Sequence, residues 1–433
     1  MGGGPAGSFF SYFVLELADR AGLEVEVDVY ESRDFNQPSP QGCNMCGGIV
    51  SESLVQHLGT EGITLPETVV QRGIDSYVLH MDVGSVSIAT PLLEMRIGAV
   101  HRGAGPRDAV SREWESFDGH LLAQASGRGA KVVRSRVEEV TRENGRPVLH
   151  PKGGEPKAYD LVVVAIGVNS ATLKMFEALG VGYTRPKVTR TLIREYRLGR
   201  EVIARTLGSS MHVFLLDLPR LEFAAIIPKG DYVTACLLGE DVDIALMNAF
   251  LTSPEVRACM PEGWRPEEKS CQCLPFMNVL GVEKPFADRF VFIGDCGVTR
   301  LYKDGIGAAY RTAKAAASAV VFDGISAEAL GRNYLRACRR IANDNRLGTV
   351  AFSMTRLAKR LPLVRRAILR MAAGEQTRAE GRPRRMSAIL WDLFSGSASY
   401  QDILQRMLHP AVAAGFVGAA AASLGGKAPG RPS

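Results

Sequence analysis

The sequence of 433 residues contains no run of eighteen or more apolar residues. A helix that crosses a bilayer needs about 20 of them, and the best candidate, 411–424, is short and rich in Ala and Gly. The N-terminus lacks the basic, apolar, small-residue order of a secretory signal. The expected compartment is therefore the cytoplasm, with any membrane association peripheral, on the inner membrane surface. Cysteine is scarce: eight residues in so long a chain do not make a disulfide framework and read as thiols or site ligands. No internal repeat is visible, no Ser/His/Asp constellation can be assembled, and no pair of carboxylates stands out for acid–base work. His57, His80, His101, His120 and His150 have no metal-ligand spacing, so packing or surface roles are expected and no metal is assigned. A second Gly-rich nucleotide loop is also missing, which argues against a stably bound NAD(P).

What is present points to a globular chain of two to three domains, since 46% of the residues are hydrophobic. The net charge of +6 is uneven: 356–385 carries ten basic residues against two acidic ones, a local +8 on a remainder of −2. Such a block implies a local surface partner and no protein-wide nucleic-acid role.

The pattern predicts a helix over 8–21 and a strand over 23–30, LEVEVDVY, ending at Glu31. A Pro/Gly/Cys-rich loop covers 36–48, a helix 51–57, strand-like alternation 77–88, and a helix 117–130. LVVVAIG, 161–167, reads as a strand buried on both faces of a parallel sheet. Short antiparallel strands are expected over 186–240, another buried strand in RFVFIGDCG at 289–297, and an Ala-rich helix over 305–322. Beyond about 340 the chain reads as helical and basic, ending in a Gly/Pro/Ser tail without fixed structure.

The opening MGGGPAG places Gly2, Gly4 and Gly7 in a Gly-x-Gly-x-x-Gly turn ahead of the first helix. A turn of this kind brings a pyrophosphate against backbone and offers it the positive end of a helix. Glu31, 24 residues after Gly7 at the end of the next predicted strand, is placed to accept hydrogen bonds from a ribose. The strand that should precede such a turn is not in this sequence, and a start upstream of Met1 is the expectation. Downstream, Asp295 follows a buried strand, and Gly305-Ile306-Gly307 opens a second helix whose N-terminus could face a flavin.

GGGPAG with Glu31, YDLVVVAIG with Gly167, and IGDCG followed by DGIGAA resemble, in order and spacing, the three FAD-binding segments of flavoproteins similar to aromatic hydroxylases. Within that group the chain is most similar to the geranylgeranyl reductase family. CNMCGGIVSESL (43–54), HRGAGPR with SFDGHLL, and FAAIIPKGDYVTACLLG (223–239) carry this narrower resemblance, which covers about residues 1–340. Phe223 to Pro228 stands where the archaeal reductases carry Tyr-x-Trp-x-Phe-Pro.

The resemblance implies an α/β chain: a Rossmann-like FAD-binding domain with an inserted antiparallel-sheet substrate domain and a helical C-terminal region. The implied boundaries are 1–60, 101–170 and 286–340 for the three parts of the FAD domain. Residues 61–100 and 171–285 would form the substrate domain and 341–433 the basic helical region. Gly2, Gly4, Pro5, Ala6, Gly7 and Glu31 would hold the ADP half of FAD, and Arg102 would lie near the flavin phosphates or ring. Gly167, Gly294 and Asp295 would meet the ribityl or pyrophosphate, and Gly305, Ile306 and Gly307 the pyrimidine side. Gly47, Gly48 and Pro228 would lie near substrate, and Cys46 is the candidate catalytic thiol.

Cys43-x-x-Cys46 and Cys271-x-Cys273 leave three readings open: small residues in tight loops, a thiol acting beside the flavin, or a four-thiolate metal site. Cys296 reads as a small residue in a crowded turn. The basic stretch 352–390 is either a peripheral contact with an anionic membrane or a helix packed on the protein's own body. The pair ILWDLFSGSASYQDIL, 389–404, is expected to face membrane or substrate with Trp391 at the interface.

The activity implied is FAD-dependent reduction of C=C bonds in an isoprenoid or lipid-like small molecule, with a reduced carrier protein or NAD(P)H as electron donor. The alternatives are an FAD-dependent monooxygenase, and a membrane-associated flavoprotein that passes electrons to a quinone or protein partner.

Overall fold

The computed structural model describes residues 1–37, 46–91, 96–106, 109, 114–267, 270–379 and 381–424. It is a mixed α/β chain in two compact units, each assembled from three separate stretches. Met1–Asn44, His101–Thr189 and Phe276–Asn343 form the first unit; Met45–Val100, Arg190–Pro275 and Asp344–Ser433 form the second. Cys43 and the tail 425–433 lie outside the described residues.

In the first unit the helix Pro5–Ala21 starts three residues earlier than the pattern predicts, because Pro5 fixes a helical φ at its first position. Only Asp28–Tyr30 of the expected strand over 23–30 pairs, in parallel with Lys131–Val133. Leu23 and Val25 are exposed, since alternation alone cannot make a strand where no partner strand runs alongside. Val162–Val164 pairs in parallel with Phe290–Phe292, the two buried runs read from sequence. Backbone bonds of Met1 and Gly2 bridge these two pairs. The Met1 nitrogen donates to the Val163 carbonyl (2.8 Å), Ala165 N–H to the Met1 carbonyl (2.9 Å), and Gly2 N–H to the Tyr30 carbonyl (2.9 Å). The opening residues thus lie where the strand before such a Gly-rich turn would run.

The core beneath is aromatic, with Tyr183 stacked on Phe292 at 4.0 Å and Phe176 set edge-on to Phe292 at 5.4 Å. The helices Pro5–Ala21 and Gly305–Phe322 pack together through Phe9, Phe13 and Tyr310, with ring centroids 5.5–5.6 Å apart. A three-stranded antiparallel sheet of Val137–Glu143, Arg146–Pro151 and Lys157–Ala158 also belongs to this unit and was not anticipated.

The second unit is built on a seven-stranded sheet. Its order is Cys271–Cys273, Leu192–Arg197, Tyr232–Gly239, Leu221–Lys229, Ser210–Phe214, Ser76–Met81, Gly84–Ala89. All pairs are antiparallel except Ser210–Phe214 with Ser76–Met81. The alternation over 77–88 is therefore a hairpin and not one strand, turning at Asp82 and Val83. One sheet face, carrying Phe214, Ile226, Val233, Ala235 and Leu237, packs with Leu246, Met247, Phe250 and Val256 of the helices Ile244–Leu251 and Pro254–Cys259.

The basic segment forms the end of Tyr334–Arg360 and then Pro362–Gln376, interrupted at Leu361 because Pro362 starts the second helix. Several of its cations turn inward. Arg365 is buried and pairs with Asp82 at 2.7 Å, Arg356 pairs with Glu222, and buried Lys359 donates to the Leu221 and Glu222 carbonyls. The expectation for Trp391 is overturned: its ring is wholly buried, stacks on Tyr77 at 4.3 Å and donates its indole N–H to Glu52 Oε1 at 2.7 Å. An amphipathic ring with its polar handle satisfied inside is a core residue. Among the described residues no single helix is long and apolar enough to cross a membrane; the bent pair Tyr400–Met407 and Pro410–Leu424 passes by length and composition only.

Candidate functional site

Two positions of the opening turn admit only glycine. Gly2 has φ +94°, and a side-chain carbon there would press into the Ala165 backbone; one at Gly7 would overlap the Gly2 carbonyl oxygen. Gly4 is the N-cap of the first helix, Pro5 and Ala6 follow, and no side chain caps this end. The helix therefore presents its positive end without a side-chain cap.

Glu31 reaches back to this turn. Its Oε2 accepts from Gly3 N–H at 3.0 Å and its Oε1 from Arg33 N–H and Nε at 3.0 and 3.1 Å. Burial pulls its pKa upward, but the hydrogen bonds and charge of Arg33 and the Gly3 amide outweigh that, leaving the carboxyl below its usual range. Arg102 is clamped by Asp118 through two bonds of 2.9 and 2.8 Å, and Asp118, on the helix Phe117–Gly127, is wholly buried. A side chain at Gly4 would come within 3.8 Å of Asp118 and 3.9 Å of Arg102, so the clamp stands beside the first helix's N-terminus.

The second helix end meets the first. Gly294 leaves the strand Phe290–Phe292 so close to Ala6 that a carbon added to it would lie 2.9 Å away. Asp295 follows, its carbonyl held by Asn278 Nδ2 at 2.9 Å, and a side chain at Gly305 would sit 3.8 Å from its Oδ1. Gly305, Ile306 and Gly307 form the first turn of Gly305–Phe322, again without a side-chain cap, because the Asp304 carboxylate is taken by Arg300 and Arg311. Burial raises the Asp295 pKa, against the opposing Thr299 hydrogen bond and Arg102 charge. Gly167, past the end of Val162–Val164, lies with Ile166 against the Cys296 thiol. That thiol donates to the Val164 carbonyl at 3.1 Å and is pushed by burial up to about 12.

The first unit thus brings together Gly2, Gly4, Pro5, Ala6, Gly7, Glu31, Arg102, Gly294, Asp295, Gly305, Ile306 and Gly307 around two helix N-termini.

Cys46, Gly47, Gly48 and Pro228 belong to the second unit. Cys46 Sγ accepts from Gly48 N–H at 3.3 Å. A side-chain carbon at Gly47 would lie 3.5 Å from Ile227 and 3.8 Å from Cys236 Sγ, and one at Gly48 would meet Lys229 Nζ at 2.9 Å. Pro228 is not with them: strand alternation sets it on the opposite sheet face, with Ile226. Lys229 takes the place expected for it. Its ammonium is buried, 3.7 Å from Glu195 Oε1, which also accepts from Thr234 Oγ1 at 2.9 Å. The sequence reading passed over Lys229, Glu195, Asp118 and Arg33; for Lys229 and Glu195 the period-two pattern of the strands could have placed both on the Cys236 face. Cys271 and Cys273 flank Gln272 on the edge strand and join no group of three ligating side chains among the described residues.

No protein-family model matches the sequence, and no curated protein matches it. Solved structures match over nearly the whole chain. A geranylgeranyl bacteriochlorophyll reductase-like protein from Thermoplasma acidophilum superposes with a TM-score of 0.66 at 15% identity, covering 94% of this chain and 96% of its own. A flavoprotein/dehydrogenase from Cytophaga hutchinsonii gives 0.61 at 14%, covering 91% of each. The halogenase PltM, solved in complex with phloroglucinol and FAD, gives 0.59 at 12%, covering 97% of this chain and 89% of that one. At these identities the likeness establishes the fold: this chain is folded as these flavin-dependent proteins are.

Proposed function

We propose that the chain binds FAD in its first unit and is an oxidoreductase that reduces C=C bonds of an isoprenoid or similarly lipid-like molecule. One observation carries the reading: two helix N-termini without side-chain caps converge beside a buried acid, Glu31, and a clamped cation, Arg102. Dinucleotide chemistry asks for this set. Helix ends and Arg102 take the pyrophosphate, Glu31 the ribose hydroxyls, and Asp295 a ribityl hydroxyl. The cradle fits the group, because Gly2 and Gly7 let the turn close tightly on its own backbone and Gly4, at the N-cap, carries no side chain that could cover the helix end.

When bound, FAD supplies the hydride transfer; the protein supplies position and protons. Saturating a C=C bond needs a hydride on one carbon and a proton on the other. Lys229 Nζ is the chain's own buried proton donor, held by Glu195 and lying against the Gly48 backbone. Glu195, itself held by the Thr234 hydroxyl, keeps that side chain in place. Cys46 is a second candidate beside it.

A lipid substrate also fits the second unit's surface. Val350, Met354, Leu357 and Leu361 are all exposed, follow one another at helical spacing, and have exposed Arg360 and Arg366 nearby. These features support a peripheral seat on an anionic membrane.

The test is equilibrium titration of the purified chain with FAD, followed by turnover of a prenyl substrate by chemically reduced enzyme without oxygen. Saturable quenching of flavin fluorescence and a product two hydrogens heavier are expected. Replacing Lys229 with Met should leave FAD affinity unchanged and slow product formation by about 10²–10⁴-fold, the usual loss for a general acid. Absence of FAD binding would sink the cofactor assignment. In a parallel reaction with oxygen admitted, oxygen consumption with a hydroxylated product would replace the reductase reading with a monooxygenase.

A further inference from the structure

The helix-covered face of the second unit's sheet holds a cluster that the flavin reading does not use. His80 Nε2 and His212 Nδ1 lie 2.9 Å apart, and Cys259 Sγ completes a group whose ligand atoms all fall within 4.8 Å of one another. All three residues are buried. The residues are far apart in sequence and are gathered by topology. Parallel pairing sets Phe214 opposite His80 and Val78 opposite His212, which makes the two imidazoles diagonal neighbours on one face. Cys259 ends the helix Pro254–Cys259, which lies over that face.

Two polar rings and a thiol in an aromatic core are costly to bury without a task. His80 is stacked on Phe214 at 4.6 Å and on His212 at 5.1 Å, so the rings are held in place. The His212 ring also lies against the Leu207 backbone, and its Nδ1 faces His80 Nε2 within the cluster. Metal-binding histidines are commonly oriented by such a backbone contact.

We propose that His80 Nε2, His212 Nδ1 and Cys259 Sγ bind one zinc ion, with a water in the fourth position. Two imidazoles and a thiolate suit zinc in both softness and number. Tetrahedral zinc spaces such donor atoms by about 3.3–3.7 Å, from bonds of about 2.0–2.1 Å to nitrogen and 2.3 Å to sulfur. The two nitrogens must open by a few tenths of an ångström and the thiol must swing inward from its 3.1 Å bond to the Val256 carbonyl. Proton balance is simple. The thiol proton leaves to solvent, and the His80 proton moves from Nε2 to Nδ1. Metal binding therefore releases one proton. The bound ion would pin the helix Pro254–Cys259 to the parallel strand pair.

Cobalt(II) is the probe. The untagged full chain is treated with chelator, dialysed and titrated with cobalt chloride. Visible d–d bands of tetrahedral cobalt and a thiolate charge-transfer band should saturate at one equivalent and be abolished by one equivalent of zinc. Cys259→Ser should remove the charge-transfer band, and His212→Gln should weaken cobalt binding at least tenfold, with far-ultraviolet circular dichroism unchanged in both. Only octahedral, non-saturating cobalt spectra from the wild-type chain would overturn the site. So would a charge-transfer band that survives Cys259→Ser. FAD titration of the same variants separates this outcome from failure of the flavin reading, because none of the three ligands belongs to the unit that holds Glu31 and Arg102.

Discussion

Glu31 shows how one residue joins folding to binding. Its carboxylate accepts from the Gly3 amide and from Arg33, so it fixes the Gly-rich turn through the protein's own hydrogen bonds. Its pKa is lowered in the folded state, so it contributes stability that is present above the unfolded value and is lost as pH falls through the folded one. Glu31→Gln should therefore cost roughly 1–3 kcal/mol at neutral pH, the price of weakening a buried charged acceptor, with the difference shrinking toward zero in acid. Urea denaturation of both proteins from pH 7 down to pH 3 measures it. A gap that stays constant with pH would mean that Arg33 and Gly3 do not hold the charged form. Glu31 was legible because it stands at the end of a strand after a Gly-rich turn. Its partner Arg33, two residues on, carried no comparable signal, since side-chain direction decides that contact.

At the scale of elements, the legible parts were those whose own sequence carries the whole constraint. Gly305–Phe322 has the predicted limits because an Ala-rich helix started by Gly-Ile-Gly needs no partner to define it. The strand over 23–30 shrank to Asp28–Tyr30 because pairing, which lies outside the segment, sets strand length. The basic helices divide in the same way. Composition gave their charge, but only packing shows that Arg365 and Lys359 turn inward while Leu357, 60% exposed, turns outward. The membrane seating proposed above would then depend on the outward apolar row more than on the inward cations. Met354→Glu with Leu357→Glu should reduce cosedimentation with phosphatidylglycerol vesicles by about 10-fold or more, given the roughly 1.5–3 kcal/mol of each buried apolar side chain. Wild-type binding should also weaken with added salt. Equal recovery of wild type and variant in the vesicle pellet would assign the row to some other surface.

Over the whole molecule, each unit is assembled from three stretches of chain, and the candidate cofactor site inherits that discontinuity. Its pieces come from 2–7, from Glu31, from Arg102 with Asp118, and from 294–307, which adjoin only after the parallel pairs Asp28–Tyr30/Lys131–Val133 and Val162–Val164/Phe290–Phe292 have formed. These motifs could be read one by one because each has a local reason for its glycines. The Lys229–Glu195 pair and the His80–His212–Cys259 cluster could not, because their members meet across strands and carry no spacing of their own. Convergence makes a definite demand on the flavin reading. If one dinucleotide bridges the two helix ends, adding FAD must slow amide hydrogen exchange in 3–10, 31–33 and 295–308 together, with a common dependence on FAD concentration. The helix Pro254–Cys259 should be unaffected, and zinc should produce the converse pattern. Mass action predicts about 2.7 kcal/mol of protection at a hundredfold excess of FAD over its dissociation constant. Protection confined to the opening turn would mean that a phosphate-bearing ligand binds there without reaching Asp295, and the site would then be a mononucleotide pocket in place of a flavin cradle.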